Sequence, residues 1–307
     1  MGPTRVDVAG VSVSHPERML FPAAKATKLD LARYYESIED WILPHVIDRP
    51  LTLVRCPNGV RPGPKGDADC FFMKHSKVWT WPAVRRVRIR EKTKVGEYLI
   101  ADSLTAIVSL VQMGVLEIHT WNSRFADVER PDRVVIDLDP GARVAWRSVV
   151  EAARLVRKLL SLLELESFVK TTGGRGLHVV VPLVPDADWG ACLSFARAFA
   201  QALVRRKPSM FTERFAKSGR DEKILVDYLR NNRTNTSIAA YSTRANVDAT
   251  VSVPLTWQEL SSARKPDRFT ITTVPARLAR LRVDPWIAYW KLKQRISRHA
   301  IRALEAM

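Results

Sequence analysis

The chain has 307 residues, with 49 Lys and Arg against 32 Asp and Glu, a formal net charge of +17. Hydrophobic residues make up 46%, with 9 Trp and only 13 Gly, which excludes a disordered chain, a collagen-like repeat and a low-complexity tail. Folding a chain of this length removes roughly 75% of its unfolded surface from water, enough for one large domain or two small ones.

The positive excess points to a polyanionic partner, because each phosphate neutralised by Lys or Arg releases condensed counterions. The charge is clustered: residues 85–94 carry six basic groups and one acidic, and residues 202–233 carry nine against four. The longest near-apolar run, Leu104 to Leu116, has 13 residues, short of the roughly 20 that cross a bilayer. It predicts a buried helix and no membrane association. The first 30 residues hold Arg5, Asp7, Glu17, Arg18, Lys25 and Lys28 without an apolar stretch, so no secretory signal is expected. Three cysteines, Cys56, Cys70 and Cys192, lack C-x-x-C spacing. This argues against a disulfide framework and a structural zinc, and for the reducing cytoplasm.

In chain order, the pattern predicts a helix over Lys28–Ile42, a strand over Leu51–Arg55 entering a CPNG turn, a basic strand over Val84–Arg90 and the buried helix from Ser103 to Leu116. A polar break at Arg124–Arg133 separates a second lobe. There RVVIDLD (133–139) is a β-branched strand and apolar residues recur at helical spacing from Val149. FVK and LHVVVPL flank TTGGRG as a hairpin, Trp189–Val204 is helical, and KILVDYL is a strand. The order βαββαβ is the split arrangement of ferredoxin-like and RNA-recognition folds, with spatial strand order 4-1-3-2. The expectation is an α+β single domain over 1–307, with an N-terminal lobe (1–130), an RNA-recognition-like lobe (131–250) and a C-terminal helical extension (251–307).

This topology places chemistry. Asp137 and Asp139, two apart on the first strand, point to one face of the sheet. His178 starts the strand on one side of it and Asp227 lies in the strand on the other. Three carboxylates are hard ligands suited to Mg²⁺ or Mn²⁺, and a pair of such ions suits phosphoryl transfer. Alone, Asp137-Leu138-Asp139-Pro140-Gly141 also reads as a strand ending in a turn, and His178 as a core histidine. In TTGGRGLHV, Gly173, Gly174 and Gly176 permit close backbone approach, so that the amides, Thr172 and Arg175 can wrap a phosphate. Arg230, Arg233 and Arg244 follow in DYLRNNRTNTSIAAYSTRA as cations for developing negative charge, with Arg233 read as a solvated edge residue. Phe71 and Phe72, followed by Lys74 and His75, can stack a base beside a phosphate contact, with one of the two phenylalanines expected in the core.

Together, DLDPG, TTGGRGLHV, ILVD and AAYSTRA resemble the polymerase domain of bacterial DNA ligase D, in the archaeo-eukaryotic primase superfamily. HPERMLFPAAKATKLDLARYY, RPLTLVRCPNG and CFFMKH extend the resemblance over most of the chain. The resemblance implies a primase-polymerase fold and a templated, metal-dependent nucleotidyltransferase that extends or fills DNA ends in non-homologous end joining. Asp137, Asp139 and Asp227 would hold two Mn²⁺ or Mg²⁺ ions. Thr172, Arg175, His178, Arg230 and Arg244 would hold the nucleoside triphosphate, NTP or dNTP, and Phe71 and Phe72 would meet the nucleotide and template bases. His119, in LEIHTW, falls at a position near the ribose or primer terminus, and Arg18 with Lys28 at a site for the 5′-phosphate of downstream DNA. Arg55, Lys74, Lys217 and Arg220 complete the candidate DNA contacts. Thr172 and Arg175 stand where relatives often have Ser and Lys, and Arg18 where Lys is common. No ligase or nuclease domain is expected within the 307 residues, which fits an excised domain or a stand-alone homologue, with Ku and an ATP-dependent ligase as candidate partners in a cytoplasmic, nucleoid-associated setting.

Two other functions fit parts of the pattern. A metal-dependent nuclease could use the same acids without triphosphate contacts. An RNA- or DNA-binding module of RNA-recognition type should expose aromatics on its first and third strands, and RVVIDLD and LHVVVPL contain none.

Overall fold

A computed structural model describes residues 4–61, 70–76, 81–216, 218–261 and 266–305. The chain forms two compact units, Met1–Trp121 with Ile238–Ser252 and Arg268–Leu281, and Asn122–Ser237 with Val253–Asp267 and Arg282–Met307. The units therefore interleave along the sequence, where consecutive lobes broken near 130 and 250 were expected. Backbone pairing accounts for the difference. The Ala239 amide donates to the Ile118 carbonyl (2.9 Å) and Ile118 to the Ser242 hydroxyl (2.8 Å), tying residues 238–252 to the first unit. Val251 donates to Phe269 (2.8 Å), bringing 268–281 with it.

The first unit begins with two small ladders, β1 (Arg5–Val8) with β2 (Val11–Ser14) and β3 (Met19–Phe21) with β4 (Ala26–Thr27). Thr27 and Asp30 form a reciprocal capping box that starts α1 (Lys28–Ser37). The expected single helix breaks at Ile38 (φ −124°, ψ 21°), after which α2 (Glu39–Val46) begins. Strands β5 (Leu51–Arg55), β6 (Phe71–Met73), β7 (Arg85–Arg90) and β8 (Val95–Ile100), helix α3 (Leu104–Gln112) and strand β9 (Val115–Thr120) follow. The sheet runs β9-β5-β8-β7, with β6 also on β5. In β7, Val87 and Ile89 are buried while Arg86, Arg88 and Arg90 face out, the period-two pattern of a half-buried strand.

Cys56 and Cys70 are joined by a disulfide, where the sequence argued against a disulfide framework. The antiparallel register Arg55↔Phe71 sets the next residues outward opposite each other. Pairing across a ladder brings them together, so the missing C-x-x-C spacing carried no information. Cys192 alone remains a buried thiol.

The second unit is built on β10 (Arg133–Pro140), α4 (Trp146–Leu162), β11 (Phe168–Thr171), β12 (Leu177–Pro182), α5 (Trp189–Arg206), β13 (Phe211–Thr212) and β14 (Ile224–Asp227). The chain leaves it through β15 (Ser237–Ile238), returns in β16 (Pro254–Leu255) and α6 (Trp257–Ser261), visits the first unit in α7 (Val274–Leu278) and ends in α8 (Arg298–Glu305). The sheet order is β13-β14-β10-β12-β11-β16. Its inner four strands have the 4-1-3-2 order expected of βαββαβ, widened by one short strand at each edge. Residues Arg133–Leu138 are all buried, as a β-branched run between two layers requires. Val135 and Val180 pack with Trp286, Tyr289 and Phe168. By alternation, that is the face on which Asp137 and His178 lie, two residues further along each strand. Val134, Ile136 and Leu138 point the other way, toward the layer that α4 and α5 provide.

Candidate active site

Asp137 stands directly opposite His178 on β12 and Asp227 on β14. The His178 Nε2 lies 3.4 Å from Asp137 Oδ1, and Arg230 Nε lies 3.0 Å from Asp137 Oδ2 and 3.1 Å from Asp227 Oδ2. Asp139, half exposed, receives Arg220 at 2.9 Å. Burial alone would raise the Asp137 carboxyl, but His178 and Arg230 beside it hold it well below the usual range. Burial pushes Asp227 up, and Asp137 and Asp139 add to that rise against Arg230. Burial, with Lys170 nearby, lowers His178 to about 4. His178 is thus neutral at pH 7, and the full positive charge facing Asp137 is that of Arg230.

Among the described residues no three His, Cys, Asp or Glu side chains are gathered closely enough to hold a metal ion as they stand. Each acid of the trio is turned to a guanidinium instead. The donor set fits a hard divalent cation all the same: three carboxylates at neighbouring ladder positions, two of them buried, with arginines in place of the charge that such an ion would bring. The Arg220 Nη1 and His178 Nδ1 are buried without a hydrogen-bond partner, as polar atoms awaiting a ligand would be.

The glycines of the two motifs hold the backbone around this centre. A Cβ on Gly141 would collide with the Arg220 and Asp221 carbonyls. Its close approach lets Gly141 donate to Lys223 (2.9 Å) and Arg143 to Asp221 (2.8 Å), which carries Arg220 to Asp139. A Cβ on Gly176 would meet the Leu138 carbonyl, between the two aspartates of β10. Gly173 takes φ +71°, which side chains rarely tolerate. The Thr172 hydroxyl donates to Gly176 O and accepts from Gly174 N (3.2 Å each), ordering the turn. Arg175 reaches Ala142 O (2.9 Å) and Val144 O (3.2 Å), bridging the Gly-rich turn to the loop after β10.

The remaining nucleotide candidates belong to the first unit. Val54 is paired with Phe72 on one side and Glu117 on the other, so Phe72, Glu117 and His119 share one sheet face. The Phe72 ring meets His119 edge-on at 6.0 Å. Phe71, by alternation on the opposite face, lies 5.8 Å from the Arg55 guanidinium. Phe71 and Phe72 are 46% and 72% exposed, so neither is the core residue one of them was expected to be. Arg244 donates to Glu117 (3.0 Å).

Among the DNA candidates, Lys28 is buried, donates to Ser14 O (3.1 Å) and takes a backbone bond to Arg18 O (2.8 Å). Arg18 is exposed and donates to Pro57 O (2.9 Å). Burial and then Arg18 lower the Lys28 ammonium to about 8, with Glu17 opposing. Arg55 donates to Met113 O (2.6 Å), Lys74 is half-buried, and Arg220 is committed to Asp139. Lys217 lies outside the described residues. Arg233, read as a solvated edge, pairs with Glu129 at 2.6 Å.

Three contributors went unread in the sequence. Lys170 is buried directly opposite His178 on β11. Asn231 accepts from Val135 N and donates to Val135 O (2.8 Å each), clamping to β10 the turn that presents Arg230. Glu117 bonds both His119 and Arg244. The period-two spacing of Glu117 and His119 was the available signal for the last.

Residues 27–286 match a family model described as LigD, primase-polymerase domain. The chain is 39% identical over 297 residues to the multifunctional non-homologous end joining protein LigD of Pseudomonas aeruginosa, covering 96% of this chain and 35% of that protein. It is 30% identical over 267 residues to the bifunctional non-homologous end joining protein LigD of Bacillus subtilis, covering 85% of this chain and 41% of that protein. The chain thus spans well under half the length of either relative. The solved polymerase domain from Mycobacterium tuberculosis ligase D in complex with DNA superposes with a TM-score of 0.83 at 31% identity, covering 92% of this chain and 99% of that one.

Proposed function

Since the chain belongs to the LigD primase-polymerase domain family, we propose that it is a DNA-templated nucleotidyltransferase that adds nucleotides to primer 3′ ends during the gap filling and end extension of bacterial non-homologous end joining. The observation that carries this reading is the opposition of Asp137 to Asp227 and His178 on one sheet face. Asp137, Asp139 and Asp227 would hold the Mn²⁺ or Mg²⁺ ions, two in this reading, whose charge assists attack by the 3′-hydroxyl and departure of pyrophosphate. His178 would donate a hydrogen bond to a phosphate oxygen once a cation draws Asp137 away from it. Arg230 and Arg220 lie against the acids and balance their charge, and would release them when a cation takes over that role. The Gly173–Gly176 turn with Thr172 and Arg175 offers amides to the triphosphate.

In the first unit, Arg244 and His119 contact the triphosphate and the ribose or primer terminus, Phe71 and Phe72 meet bases, and Arg18 with Lys28 receives a downstream 5′-phosphate. Arg55, Lys74 and Lys217 contribute to the DNA-binding charge. Ku and an ATP-dependent ligase are the partners that such a gap-filling step would serve, at the nucleoid. No described helix is long and apolar enough to cross a membrane. Primer extension on a gapped duplex, comparing NTPs with dNTPs in Mn²⁺ and Mg²⁺, tests the proposal. Templated, metal-dependent incorporation supports it, whereas strand cleavage without incorporation replaces it with a nuclease.

A further inference from the structure

Glu117 stands two residues before His119 in LEIHTW, and its carboxylate takes three hydrogen bonds. Its side chain is 7% exposed. Oε2 lies 2.7 Å from His119 Nε2, while Oε1 accepts from Arg244 Nε (3.0 Å) and from the Ala245 amide (2.8 Å). Burial would raise this carboxyl, but His119, Arg244 and the Ala245 amide bring it down to about 2. Glu117 is therefore ionised across the neutral range and can only accept, so His119 Nε2 is the donor of the bond between them.

A purely structural explanation would have Glu117 anchor the segment 239–245 to β9. That segment is already fastened without it: Ala239 N donates to Ile118 O, Ile118 N to Ser242 Oγ, and Thr243 Oγ1 to Leu116 O. Arg244 N is bonded to Thr250 O (2.8 Å). What remains for Glu117 to set is the direction of two side chains, the imidazole two residues along its own strand and a guanidinium that keeps 31% of its surface exposed. Charge-assisted bonds to a buried carboxylate are well suited to this, since they fix a side chain before the ligand arrives.

We propose that Glu117 is a positioning residue for nucleotide addition, its buried carboxylate holding the His119 imidazole and the Arg244 guanidinium in the orientation that the incoming nucleoside triphosphate meets. The inference rests on the assignment of Arg244 to the triphosphate and of His119 to the ribose or primer terminus. Without the carboxylate both side chains sample other rotamers, and triphosphate binding weakens while the fold and the DNA contacts persist.

The test is steady-state primer extension on a gapped duplex with Glu117→Gln, Arg244→Ala, His119→Ala, the Arg244→Ala/His119→Ala pair and the triple variant. Expected is a KM for nucleoside triphosphate about tenfold higher in Glu117→Gln, with DNA affinity and melting temperature close to wild type. In the Arg244→Ala/His119→Ala background the same substitution should change KM less than about twofold, because its targets are gone. Glu117→Asp, which keeps the charge on a shorter stem, should recover part of the loss, and it replaces Gln as the readout if the Gln protein fails to fold. Wild-type KM in the folded Glu117 variant, or an equal penalty in both backgrounds, overturns the inference while leaving the nucleotide contacts standing. Unchanged KM in both Arg244→Ala and His119→Ala overturns those contacts, and the inference falls with them.

Discussion

Asp137 faces Asp227 across the β10–β14 ladder, and one guanidinium, Arg230, lies 3.0 Å from the first carboxylate and 3.1 Å from the second. Two buried like charges at adjacent ladder positions repel each other, and without a cation one of them would take up a proton. Arg230 supplies that cation from the turn directly after Asp227, where Asn231 pins the backbone to Val135.

Asp137→Ala and Asp227→Ala should each abolish nucleotide addition, by roughly a thousandfold or more, since a metal's charge stabilisation is worth several kcal/mol and no neighbouring group replaces it. Both proteins should retain a native circular dichroism spectrum and most of their DNA affinity. Extension within tenfold of wild type by either variant would remove it from the metal set.

Arg230→Ala exposes the repulsion that the guanidinium neutralises. Its side chain is 41% exposed, so solvent screening limits the loss to about 1 kcal/mol. The melting temperature should fall by roughly 1–2 °C in chelator, and Mn²⁺ should raise it more in the variant than in wild type, since a bound cation replaces the missing charge. An equal Mn²⁺ shift in both proteins would mean that Arg230 and the metal do not share the same carboxylates.

The second unit was legible because its signals were local. A β-branched run, two amphipathic helices and a Gly-rich hairpin fixed the 4-1-3-2 order, and that order alone brought Asp137, His178 and Asp227 together. What escaped depended on long-range register. The Cys56–Cys70 bond follows from β5 pairing with β6, and Lys170 meets His178 only because β11 and β12 align. The interleaving of the two units was equally hidden, since it rests on hydrogen bonds between β9 and a segment more than a hundred residues away. Both Phe71 and Phe72 are exposed on a three-residue strand paired with β5, each ring meeting a polar side chain, Arg55 or His119, where a core contact was expected of one.

Gly176 and Gly174 offer a matched pair of substitutions. A methyl group on Gly176 meets the Leu138 backbone carbonyl, whereas on Gly174 its nearest neighbour is the Thr172 hydroxyl at 3.5 Å, an ordinary contact. Gly176→Ala should therefore cost about 1–3 kcal/mol of stability by forcing β10 and the turn apart, and should lower extension by displacing Leu138 between Asp137 and Asp139. Gly174→Ala should leave stability within about 0.5 kcal/mol. Urea titrations of both variants check this, and equal stability losses would mean that the Gly176 contact relaxes freely.

Arg18 and Lys28 give the last prediction, because a gap-filling enzyme must tell a break from intact duplex and a 5′-phosphate marks the break. Lys28 is 5% exposed, its ammonium bonded to Ser14 O, and its pKa is lowered to about 8 by burial and then by Arg18, with Glu17 opposing. An ammonium in that setting gains from an anion: a terminal phosphate carries nearly two charges above pH 7, and its approach restores the charged form that burial disfavours. Wild type should prefer a gapped duplex with a 5′-phosphate over one with a 5′-hydroxyl by several-fold to a hundredfold at pH 7, about 1–3 kcal/mol. Above pH 8 the free enzyme's Lys28 is mostly neutral, so the preference should decline toward pH 9 and 10. Lys28→Ala should show a small preference without that decline. Arg18→Ala removes the like charge that helps lower Lys28, so its decline should begin at higher pH. Binding to the two duplexes from pH 6.5 to 10 at one fixed ionic strength measures all three. If the Arg18→Ala/Lys28→Ala double variant keeps the wild-type preference and loses only salt-dependent affinity for DNA in general, the pair belongs to the duplex-binding surface and another site reads the 5′-phosphate.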